Sequence, residues 1–203
     1  MSGAKIRLSQ KETELVSSAD FILTKNAILE KVKQLLLALQ QKQEGFLHHP
    51  QLFLSDDLTN LTSKISKGEN YKGLPYLILD YPRVFKGTDI FAIRTMFWWG
   101  HFFSTTLQLS GSYKKKFEEK IITSLPSLLK KGFFYCVNNE QWEHSFERSN
   151  YLPLGEIMTP AIENKILEKP FIKLAIKIHL HQWDDAPDIL FTYFMEIIQM
   201  LDS

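Results

Sequence analysis

The sequence predicts an α+β protein: an antiparallel sheet of about five strands with helices packed against it, including two N-terminal helices and a C-terminal helix. Apolar residues recur at helical spacing before Gly45 and alternate at strand spacing after Gly73. Two of the strand-like runs are separated by a single glycine, which suggests a tight hairpin or a sharp bend. Strand–helix alternations are too few for a doubly wound sheet. At 203 residues the chain fits a single domain over 1–203. It divides into a helical part over 1–45, a loop-rich connection over 46–73, and sheet with helices over 74–203.

Ser9 with Glu12 makes a capping box that opens a short helix, with Leu15, Val16 and Ala19 on one face. Thr24 is the expected cap of a second helix reaching about Gln43. Its stripe is Ile28, Val32, Leu35, Leu36 and Leu39, and Gly45 is its stop. The connection carries His48-His49-Pro50, Ser55-Asp56-Asp57 and Lys67-Gly68-Glu69-Asn70, read as loop with one helical turn over 58–65. Strands are expected over 76–81, 89–99 and 101–110, with Gly100 in a tight turn between the last two. A helix over 113–131 follows, kinked or split at Pro126 and capped by Gly132. Residues 133–137 read as a strand. The segment 141–154 alternates Trp142, His144 and Phe146 with polar residues, and a short strand is one reading of it. Thr159-Pro160 opens a helix to Glu168, 171–181 is a strand, and Asp185 with Pro187 opens the last helix.

Composition excludes some function classes. The 24 Lys+Arg and 23 Asp+Glu give a formal charge of +1, so no bulk charge holds this chain on nucleic acid or anionic lipid. No apolar run approaches the roughly 18 residues of a membrane span, and no signal-peptide pattern follows Met1. With Cys136 alone, an intrachain disulfide is excluded and the expected location is cytoplasmic. Gly68-Glu-Asn-Tyr-Lys-Gly73 has the gap of a phosphate loop but lacks the Lys-Ser/Thr that would reach phosphate and magnesium. No hydrolase, metalloprotease or dinucleotide motif occurs, so no catalytic residue and no cofactor is assigned.

Two clusters remain. Asp80, Arg83, Arg94, Trp98 and His101 join charges to strands of apolar residues, where an unpaired charge is costly. They read either as a buried Asp80–Arg94 pair in an aromatic core, the favoured reading, or as an arginine pocket for an anion with an aromatic wall. His179 and His181, two apart on a strand, share a face and are a candidate metal pair. They would need a third ligand such as His101, His144 or Asp80. Lys173 and Lys177 share that face, which therefore reads as solvated opposite the apolar one.

Lys64-Ile-Ser-Lys-Gly-Glu-Asn-Tyr-Lys-Gly-Leu-Pro-Tyr-Leu-Ile-Leu-Asp-Tyr-Pro-Arg83, with Phe91-Ala-Ile-Arg-Thr-Met-Phe-Trp-Trp-Gly100 after it, resembles an uncharacterised bacterial protein family with no assigned activity. That resemblance carries no catalytic residue to this chain. A helix–three strands–helix–two strands–helix order is similar to that of small secretion chaperones, which dimerise and bind unfolded partner segments. The leading expectation is a non-enzymatic binding protein, acting on a partner protein or on itself through residues 97–103 and the last helix. The alternative is a small-molecule-binding protein or enzyme built on the Arg/Trp/His cluster, with His179 and His181 as metal ligands.

Overall fold

The computed structural model describes residues 6–49, 52, 58, 61–157 and 159–202. Among these, α1 (Gln10–Ser17) and α2 (Ala19–Leu47) lead into β1 (Lys64–Tyr71), β2 (Leu74–Lys86), β3 (Asp89–Trp98) and β4 (Phe102–Ser110). Then come α3 (Gly111–Lys130), β5 (Phe134–Cys136), β6 (Tyr151–Pro153), α4 (Thr159–Glu168), β7 (Phe171–His179) and α5 (Ala186–Asp202). All strands join one antiparallel seven-stranded sheet, ordered β1-β2-β3-β4-β7-β5-β6. No helix among the described residues is long and apolar enough to cross a membrane.

The α+β class and the antiparallel sheet are as expected, with two strands more than about five. The first extra strand is β1. Its Lys, Ser, Gly and Asn content lacks the apolar signal of a strand, so it reads as loop, yet it pairs residue for residue with β2 from Lys64↔Asp80 to Gly68↔Tyr76. Lys72 and Gly73 both adopt positive φ, 50° and 82°, the conformation of a two-residue hairpin turn. The would-be phosphate loop is this hairpin. The Ser55-Asp56-Asp57 segment and most of the expected turn over 58–65 lie outside the described residues. The observed order also departs from helix–three strands–helix–two strands–helix: four strands precede α3, and β7 follows a further helix.

Helix boundaries shift for local reasons. The Ser9/Glu12 capping box is present. Thr24 is not a cap; α2 begins at Ala19 and continues through Gly45, since burial of Leu39, Gln43 and Leu47 on one stripe outweighs the roughly 1 kcal/mol that a helical glycine costs. Pro126 sits inside a continuous α3. The α3 N-terminus receives its cap from another element: Asp89 Oδ1 accepts the Ser112 N–H at 2.7 Å. A Cβ on Gly111 would stand 2.1 Å from that carboxylate, and φ there is +59°, so glycine is required. Lys114 is buried and donates to Glu118 at 2.5 Å and to the Leu167 carbonyl at 3.2 Å.

One face of the sheet carries Leu77, Leu79, Ile93, Phe97, Phe103, Leu107, Ile172, Leu174 and Ile178. Helices α2, α3 and α5 pack over it and complete the main core. Residues 97–103 and the apolar face of α5 were expected to form an interface. Phe97, Phe103, Phe194 and Ile198 are instead core, because the strand–turn–strand is interior to the sheet and α5 covers it.

Gln43 is a flaw in that core. It is 1 % exposed, and neither its amide nitrogen nor its amide oxygen has a hydrogen-bond partner. Each buried unsatisfied polar group costs about 1–3 kcal/mol. Gln43→Met, close in volume and apolar, is expected to raise the unfolding free energy by about 1–3 kcal/mol in urea titrations. An unchanged or lowered midpoint would show that the amide is satisfied in solution.

Candidate functional site

Side-chain alternation assigns the second face of the sheet row by row. The end row is Tyr76, Trp98, Phe102 and His179, on β2, β3, β4 and β7. The next is Ile78, Met96, Ser104 and Lys177, followed by Asp80, Arg94, Thr106 and Ala175. A bulge sets Tyr81 and Pro82 against the single Ile93, which brings Arg83 into the following row with Ala92, Gln108 and Lys173.

This face is covered by a loop. The chain leaves β5 at Cys136, crosses the face over 137–150 and returns at Tyr151, which pairs with Cys136. Phe146 drops among the rings of Phe102, Phe134 and Tyr151, with centroids at 5.0, 5.1 and 4.7 Å. Trp142 lies 6.0 Å from Phe85. Asn150, 1 % exposed, closes the loop on itself: its amide donates to the Glu143 carbonyl at 3.2 Å and the Ser145 carbonyl at 2.6 Å, and its own carbonyl accepts from Val137 N–H at 2.8 Å.

Charges fasten the loop to the sheet. Asp80 and Arg94 stand directly opposite in β2 and β3. Arg94 grips the carboxylate with two bonds, Nε to Oδ1 at 2.7 Å and Nη2 to Oδ2 at 3.0 Å. Its Nη1 lies 3.1 Å from His144 Nε2. A guanidinium only donates, so Nε2 accepts and Nδ1 carries the imidazole proton. Burial first, then the cations of Lys173 and Arg94, keep His144 well below the usual histidine range and therefore neutral. Lys173 is fully buried and donates to the carbonyls of Gln141, at 3.0 Å, and Glu143. Burial lowers its amine to about 8.

Glu143 completes the fastening. It accepts from the Tyr71 hydroxyl and from the N–H groups of His144 and Ser145, at 3.0 and 2.9 Å, and lies 3.7 Å from Lys72 Nζ. Burial would raise its carboxyl; the Tyr71 and Ser145 hydrogen bonds and the Lys72 charge outweigh that and hold it at about 2. Cys136 adds no nucleophile: burial pushes its thiol up, and Sγ lies 3.4 Å from Asn150 Oδ1. The ionised groups of this cluster are taken up by one another and by loop carbonyls, so it works as a clamp.

The residues singled out from the sequence therefore separate into three places. Asp80 and Arg94 form the buried pair. Arg83 lies one row away with its guanidinium 6.0 Å from the Phe85 ring. Trp98 and His101 lie at the end row, where the His101 ring stacks on Trp98 at 3.6 Å and 13°. His179 joins them there, but β7 ends at His179 and His181 sits in a single 3-10 turn, Leu180–Gln182, rather than on the strand. The two imidazoles stack at 5.3 Å, and no group of three or more His, Cys, Asp or Glu among the described residues could hold a metal ion.

Loop 137–150 buries part of the face expected to be solvated: Lys173 is fully buried and Lys177 half-buried, while His179 at its end stays exposed. Sequence reading missed Tyr71, Glu143, Asn150 and Lys173. The alternation of Trp142, His144 and Phe146 carried the signal, since it marks an extended segment with one face inward. Between the end of this loop, Ser145 to Glu147, and the end rows of the sheet lies an open cleft of about 260 Å³. No family model, curated protein or solved structure matches this chain.

Proposed function

We propose that this chain is a non-enzymatic, cytoplasmic interaction protein that self-associates through its N-terminal helices. One observation carries the reading: α1 buries no residue, and the core closes without it. Along α1 and the start of α2, Leu15, Val16, Phe21, Ile22 and Leu23 are exposed, Val16 by 73 % and Leu23 by 62 %. Helix α2 runs about 15 Å from Ala19 before its first buried residue, Leu29. Lys25 anchors it to Glu69 of β1 at 2.6 Å, so the arm leaves the body in a set direction. A contiguous exposed apolar surface marks an interface.

A second copy is the partner that fits. Apolar residues are mixed there with both signs of charge, Lys11, Glu14 and Asp20, a composition that suits two arms paired about a two-fold axis. The lone thiol, Cys136, is buried and reduced, as suits the cytoplasm. Light scattering of the full chain is expected to give a dimer, and Leu15→Glu with Leu23→Glu a monomer of unchanged circular dichroism whose melting temperature no longer rises with protein concentration. A wild-type monomer at the highest attainable concentration would overturn the reading.

A further inference from the structure

We propose that the cleft at the end of the sheet binds a small aromatic anion, a one-ring carboxylate in the simplest case. The accessible rings are His101, exposed and stacked on the buried Trp98 at the end of β3, and the half-buried Phe146, set edge-on to the buried Phe102. Such surfaces take a planar ring by stacking or edge contact.

The polarity follows from which groups are already engaged. Glu147, the carboxylate at the rim, is held by Lys72 Nζ at 3.0 Å. The same ammonium donates to Ser145 Oγ at 3.1 Å. The acceptors of the cleft are thus turned to Lys72. Lys177 is the opposite case. It is half-buried and forms no ion pair among the described residues, and its ammonium stands 5.7 Å from the Phe146 ring centroid. With the exposed imidazoles of His101 and His179 beside it, the cleft presents one cation without a carboxylate partner against aromatic rings. A carboxylate on a planar ring satisfies both at once: the ring displaces water from His101 and Phe146, and the carboxylate pairs with the half-buried Lys177. A cleft of about 260 Å³ admits one ring with its acid group and excludes dinucleotides.

The cleft is independent of the N-terminal arm, so neither proposal stands or falls with the other. The probe is phenylacetate, titrated into the full chain and followed by amide and indole chemical shifts. Saturable binding is expected, with shifts at Trp98 and residues 145–147. The neutral isostere phenylacetamide and the ringless anion acetate are each expected to bind at least about tenfold more weakly, as is phenylacetate to Lys177→Gln. Lys177 makes no hydrogen bond that the fold depends on, and an unchanged spectrum away from the cleft confirms that the variant folds. Equal binding of the amide, equal binding of acetate, an unaffected Lys177→Gln variant, or no saturable binding of phenylacetate would each overturn the proposal.

Discussion

Asp80→Ala is expected to lower the unfolding free energy by about 3–5 kcal/mol, because it strands a buried guanidinium. Arg94 is 8 % exposed and spends two of its nitrogens on Asp80. Without the carboxylate its remaining partner is the neutral His144, which cannot balance a charge in a low-dielectric setting. The pair is itself a weak source of net stability, since two charges had to be desolvated to form it. Asp80→Leu combined with Arg94→Met is therefore expected to recover most of the loss. Urea titrations of the three proteins check this; a single variant that costs less than about 1 kcal/mol would mean that water reaches Arg94 under the loop.

The second large effect is at Lys173 and depends on pH. Its amine titrates near 8 in the folded chain because burial disfavours the cation, against about 10.4 when unfolded. Between those values the unfolded chain binds more protons, so stability from this group rises with pH. Below pH 8 both states are protonated and the cost of the buried cation is felt in full; it is relieved as pH climbs toward 10. The stability of wild type relative to Lys173→Met is thus expected to improve by about 2 kcal/mol from pH 7 to pH 10. Taking the difference between the two proteins cancels the buried tyrosines, whose hydroxyls are also raised, Tyr81 to about 12. A difference flat across that range would show that Lys173 keeps ordinary hydration.

Acid acts on the same clamp from the other side. Glu143, held at about 2, contributes stability above the ordinary carboxylate range and loses it as pH falls from about 4.5 toward 2. His144, held neutral, favours the folded chain above the ordinary histidine range and works against it below. Loop 137–150 is therefore the first part of the second face expected to loosen in acid.

Much of the sheet was legible because β3, β4 and β7 carry long β-branched and aromatic runs whose alternation survives any context. The Asp80–Arg94 pairing was legible for a related reason: a charge inside such a strand needs an opposite charge within reach, and a hairpin brings few candidates. Strand β1 was not legible. Its pairing with β2 uses backbone hydrogen bonds, to which Ser66 and Gly68 contribute as well as any residue. At Gly68 the missing side chain leaves room for Tyr76, whose ring a Cβ would meet at 2.4 Å and displace.

What the sequence by itself determined is the class of the fold, the apolar face of each central strand and the pairing of its one conspicuous buried acid with a base. The tertiary structure decided what lies on the other face. Alternation states that Lys173, Lys177 and His179 share a side, but not whether water or protein meets them. That depends on an irregular loop whose hold is long-range and made through carbonyls, Gln141 and Glu143 on Lys173, and such bonds leave no period in the chain. The same loop reaches the end row only through Phe146 on Phe102 and leaves His101 and His179 exposed. That partial cover buries Lys173, sets Lys177 against the Phe146 ring with no ion pair among the described residues, and makes a cleft out of residues that the sequence had spread between a pocket and a metal pair.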